Sequence, residues 1–122
     1  MTGIYVKLRN NRWIKIKGFL SGLTGVRGRR TSYTLIAESI DQPSIDSVKK
    51  ALTIYISSTA VTKFIYRLLN ENYDANNTIV IEYVKPEYYR VRVYGSNPEK
   101  IYELASSMNI VREKGRSTSE HS

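Results

Sequence analysis

The chain has 122 residues, 41% of them apolar and 25% charged, with a formal charge of +8. That length suits one compact domain with its own core, and no apolar run approaches the ~20 residues of a membrane span. Cysteine is absent and histidine occurs once, at His121, which excludes disulfides, Cys-ligated zinc and thiol nucleophiles and leaves no basis for a Ser-His-Asp triad.

Ile4–Arg9 alternates, with Ile4, Val6 and Leu8 on one side and Tyr5, Lys7 and Arg9 on the other. Period two predicts a half-buried strand. Asn10-Asn11-Arg12 reads as a turn, because Asn tolerates positive φ. Trp13–Leu20 alternates again, setting Ile14 and Ile16 against Lys15 and Lys17. A basic N-terminal β-hairpin is expected, with Trp13 either a core residue or a stacking anchor. Ser21–Ser32 (SGLTGVRGRRTS) interleaves three glycines with Arg27, Arg29 and Arg30. It predicts a basic loop between strands, suited to phosphate.

Tyr33–Glu38 is a third strand candidate. Asp41–Ser44 should turn the chain into a helix, with Ser44 as its cap. Ile45, Val48, Leu52 and Ile56, then Val61, Phe64, Ile65, Leu68 and Leu69, recur at helical spacing. One long helix is expected, or two bent at Ser57-Ser58-Thr59, although the β-branched run Thr53–Ile56 also fits a strand. Thr78–Val84 and Tyr88–Tyr94 read as strands about the Lys85-Pro86-Glu87 turn. The second sets Tyr88, Arg90, Arg92 and Tyr94 on one face, against Tyr89, Val91 and Val93. Asn97-Pro98 opens a helix whose core stripe is Ile101, Leu104, Ala105 and Met108. A short strand over 109–112 and a disordered tail over 114–122 complete the reading. The fold class is α+β, a mostly antiparallel sheet with helices on one face, forming a single domain over residues 1–113.

The charge is uneven. Lys7, Arg9, Arg12, Lys15, Lys17, Arg27, Arg29 and Arg30 all precede Glu38, the first acid, and the rest of the chain balances. A neutral body with a cationic end suits a polyanion. Tyr88, Arg90 and Arg92 add an aromatic and cationic face of the kind that stacks bases or contacts a protein partner. The carboxylates are scattered, and no pair has the setting of acid–base or two-metal chemistry. No enzyme activity, metal or cofactor is expected.

The stretches LIAESIDQPSIDSVKKAL and TIVIEYVKPEYYRVRVYGSNPEKIYELA resemble the C-terminal α/β domain of the archaeal translation initiation factor 2 alpha subunit. Pro43, Val48, Lys49, Pro86, Tyr89, Arg90, Val91, Gly95, Asn97 and Pro98 fall at matching steps, within residues 35–108. The resemblance implies an α/β fold and a translation setting near RNA. The expected function is therefore non-catalytic RNA binding in the cytoplasmic translation apparatus, on ribosomal or transfer RNA and away from membranes. The alternatives are a protein-interaction module, such as a viral inhibitor docking on a nucleoprotein complex, and a double-stranded DNA-binding protein.

Overall fold

The computed structural model describes residues 2–24, 30–45 and 50–116. Seven strands form one sheet: β1 (Gly3–Lys7), β2 (Trp13–Thr24), β3 (Arg30–Ile40), β4 (Ala51–Ser57), β5 (Asn77–Lys85), β6 (Tyr88–Gly95) and β7 (Val111–Arg116). Their spatial order is β3-β2-β1-β5-β6-β4-β7. Only β1 and β5 pair in parallel; the other neighbours are antiparallel. Helices α1 (Val61–Asn70) and α2 (Glu99–Ser107) complete an α+β fold.

Both helices cover the same sheet face. Phe64, Ile65 and Leu68 of α1 and Ile101, Leu104 and Ala105 of α2 pack on the inward positions of β1, β4, β5 and β6, including Ile4, Val6, Leu52, Ile54, Ile79, Ile81, Val91 and Val93. The order β4-α1-β5-β6-α2-β7, with neighbours β5-β6-β4-β7, is a split βαβ unit. The first three strands extend that unit beyond β5.

The turns follow from residue chemistry. Asn11, Asn72 and Asn109 all adopt positive φ, near 60°, a region that Asn enters more readily than other non-glycine residues. Gly95 is needed for close approach. A Cβ there would collide with the side chain of Asn77, whose Nδ2 donates to the Tyr73 carbonyl at 2.9 Å.

Several boundaries differ from the sequence reading. Ala51–Ser57 is a strand where a helix is expected, and a 3-10 turn at Ser58–Ala60 separates it from α1. Leu52, Ile54 and Ile56 alternate onto the core, and Thr53 is buried on the opposite face. Pairing on both sides by β6 and β7 outweighs the helical spacing. Residues 46–49, the rest of the expected first helix turn, lie outside the described residues. Strands β2 and β3 run on to Thr24 and Arg30, so the expected loop is shorter at both ends. Pro98, not Asn97, is the N-cap of α2, and β7 takes residues 114–116 from the expected tail.

The described start of the connection from β3 to β4, residues 41–45, lies on the side of the sheet away from the helices. Ile40 lies in one row with Trp13, Lys7, Glu82, Arg90 and Tyr55, whereas Ala51 lies in a row with Tyr94, Thr78 and Gly3. Five strand spacings and four residues of rise separate Ile40 from Ala51, roughly 28 Å. The intervening residues span about 37 Å when extended. Ile45 packs, with Ile40 and Ala51, on a second cluster of Tyr5, Trp13, Val80 and Tyr94. Those four residues trace the diagonal between the two strand ends, and Ile45 brings the described part of the connection, residues 41–45, onto it as a strap.

Candidate nucleic-acid interface

The face opposite the helices carries most of the residues singled out in the sequence, and the strap divides it. On one side Lys15 lies over the Tyr5 ring at 5.6 Å, and Lys17 pairs with Glu38 at 3.7 Å. On the other side Lys7 occupies the register position beside Glu82, followed by Arg90, Arg92, Tyr55 and Tyr88. At the β1–β2 turn, Arg9 lies over the Tyr83 ring at 5.9 Å, and Tyr83 meets the core-packed Tyr89 on the helix side of the sheet, so Arg9 does not join this face. Arg12 Nη2 donates to Ser39 Oγ at 2.9 Å. Lys7, Arg12 and Trp13 line an open cleft of about 430 Å³, together with Asn11, Ser39 and Gln42. Asp41 also stands on its rim. Arg27 and Arg29 lie outside the described residues. Arg30 begins β3, paired with Thr24.

The Tyr and Arg strand has an internal partner that composition does not reveal. Glu82 is 7% exposed; its Oε1 accepts a hydrogen bond from Arg90 Nη2 at 2.9 Å and forms an ion pair with Arg92 Nη2, also at 2.9 Å. Arg92 Nη1 also donates to the Tyr94 hydroxyl at 3.1 Å. The Nε atoms of both arginines are buried without a hydrogen-bond partner. Burial opposes the charged form of Arg90, but the hydrogen bond and charge of Glu82, with Tyr55, outweigh it and hold the guanidinium above its ordinary pKa. Two guanidiniums that share one buried carboxylate are poorer phosphate partners than free ones, because a phosphate would compete with an ion pair already desolvated. Their service is to order this part of the sheet.

Beside them Tyr55 and Tyr88 meet edge to face at 5.5 Å, and Lys85 lies over the Tyr88 ring at 5.1 Å. Tyr55 and Glu82 were not legible as site residues. Tyr55 falls in the stretch that reads as helix, and Glu82 reads as a strand residue flanking the Lys85-Pro86-Glu87 turn. The one available signal was Glu82 as the single acid in the apolar run TIVIEYV, eight residues before Arg90. Trp13 is 9% exposed and belongs to the second cluster; its ring edge forms part of the cleft.

Among the described residues no group of His, Asp and Glu could hold a metal ion, and no helix is long and apolar enough to cross a membrane. No protein-family model, curated protein or solved structure matches the chain.

Proposed function

We propose that the protein binds RNA through the sheet face opposite its helices, holding phosphates with the early cations and stacking exposed bases on tyrosine. One observation carries this reading. On this face Lys7, Arg12 and Lys15 have no carboxylate partner among the described residues, whereas Lys17, Arg90 and Arg92 do. A cation without an internal counter-ion is available to release the counter-ions of a polyanion. The strand positions of Tyr55 and Tyr88 add support. They lie on β4 and β6, the two central strands of the split βαβ unit. Proteins that bind single-stranded RNA on such a sheet stack bases on aromatics from those strands, an analogy of fold and not of sequence.

The translation setting rests on the resemblance of residues 35–108 to the initiation-factor domain. Cofractionation of the native protein with ribosomal subunits on a salt gradient tests that setting. RNA binding itself is tested by fluorescence anisotropy with a labelled single strand, a folded RNA and a DNA duplex over a salt series. If six early cations meet phosphates, the log–log slope is about −4 to −5. A flat response, or a preference for duplex DNA over both RNAs, overturns the reading.

A further inference from the structure

We propose that the chain forms a two-fold dimer in which β3 pairs antiparallel with β3 of a second copy. The sheet has two edges, and they are built differently. At one end β7 reads VREKGR, with charges at Arg112, Glu113, Lys114 and Arg116. That density of charge is how natural edge strands avoid pairing with other chains. At the other end β3 spans eleven residues, RTSYTLIAESI, and no described strand lies beyond it. From Thr31 to Ala37 it carries no charge and no proline. The register shift between Ile16 and Gly18 places the bulge on β2, on the inner side of the pair, where it leaves the outer edge regular. Among the described residues no strand pairs with this edge, and its middle stretch carries neither charge nor proline.

The side chains beside it point the same way. Leu20 is 62% exposed and Ile36 is 45% exposed. Leu20 pairs with Thr34 and Gly18 with Ile36, so the two apolar residues are diagonal neighbours on the face away from the helices. Across the ribbon, Phe19 meets Tyr66 of α1 edge to face at 4.6 Å, which fixes the ribbon to the body and holds the edge in place.

A second copy is the occupant because the strand complements itself. Its two charged positions are Arg30 and Glu38, which stand four residues to either side of Thr34. Antiparallel pairing about Thr34 sets Arg30 opposite Glu38 of the other copy, and symmetry makes the same pair twice. Glu38 then has a cation on each side, since Lys17 already lies 3.7 Å away. The pairing is closed, so it ends at two copies. Its axis is perpendicular to the sheet, which turns the cationic faces of both copies to the same side.

The absence of cysteine makes the register testable. Thr34 sits on the axis and meets its own copy at a separation that a disulfide spans. Mild oxidation of Thr34→Cys is expected to give a covalent dimer of twice the 14.0 kDa chain mass. Ser39→Cys, which would lie roughly 30 Å from its own copy, stays uncrosslinked. Sedimentation of the unmodified chain without nucleic acid is expected to show the dimer, and Ile36→Lys to run as monomer with an unchanged far-UV spectrum. An unmodified chain that remains monomeric at every concentration overturns the proposal. So does equal crosslinking at positions 34 and 39. Neither outcome depends on whether the protein binds RNA.

Discussion

At the residue scale, Glu82 decides what Arg90 and Arg92 can do. The alternation of Tyr88–Tyr94 correctly separates a core side (Val91, Val93) from a polar side, and that much is local. The carboxylate that occupies the polar side comes from the neighbouring strand, where the β5–β6 register brings Glu82 opposite Arg90. Glu82→Gln keeps the shape but removes the charge that both guanidiniums face. It is expected to destabilise the fold by roughly 1–3 kcal/mol, since both arginines retain some access to water. Urea unfolding of the variant beside the unmodified chain measures it. The same change frees two cations, so RNA affinity should hold or rise while stability falls. A parallel loss of both would mean that the cluster itself forms the contact. Gly95→Ala is expected to cost about 1–3 kcal/mol, because the added Cβ must displace Asn77 from a tightly packed pair.

At the element scale, β4 is the clearest departure from the sequence reading. Ile45, Val48, Leu52 and Ile56 repeat as a helix would, yet Leu52, Ile54 and Ile56 also repeat as a strand would. A short apolar run supports both periods. The choice is made by neighbours far along the chain, since β4 is flanked by Tyr88–Gly95 and Val111–Arg116. Because β4 is paired on both sides and its core positions are fully buried, the amides of Leu52, Ile54 and Ile56 should exchange with solvent only on global unfolding. Hydrogen exchange read by mass spectrometry or NMR tests this, and rapid exchange there would contradict the strand assignment. Helix α1 is legible by contrast, because ten residues of strong amphipathic spacing leave one choice of face. Its Phe64 is fully buried, and Phe64→Ala should cost about 3–5 kcal/mol in the same unfolding measurement.

At the scale of the whole molecule, charge and topology act together. Lys7, Lys15 and Lys17 share the sheet face opposite the helices, with the strap whose Ile45 packs on Tyr5, Trp13, Val80 and Tyr94 set between Lys15 and Lys7, whereas Arg9 stacks on Tyr83 at the helix side and Arg30 lies at the far end of β3. An RNA that reached both groups would have to pass over the strap. Lys7→Ala and Lys15→Ala should then each reduce the salt slope of RNA binding by about 1, and the double variant by their sum. If one of the two leaves the slope unchanged, RNA runs on one side of the strap only.

The sequence by itself determined what depends on near neighbours along the chain. That includes the α+β class, the alternating strands β1, β5 and β6, the asparagine turns, the helix over Glu99–Ser107 and the concentration of positive charge before Glu38. Each is set by a side-chain period or a backbone preference that operates over a few residues. Only the tertiary structure decided that β4 is a strand, that residues 41–45 begin a strap on the sheet, that Glu82 pairs with both arginines of β6, and that β3 is the last described strand at its end of the sheet. These depend on which strands become neighbours, and strand pairing joins residues whose separation along the chain carries no local signal.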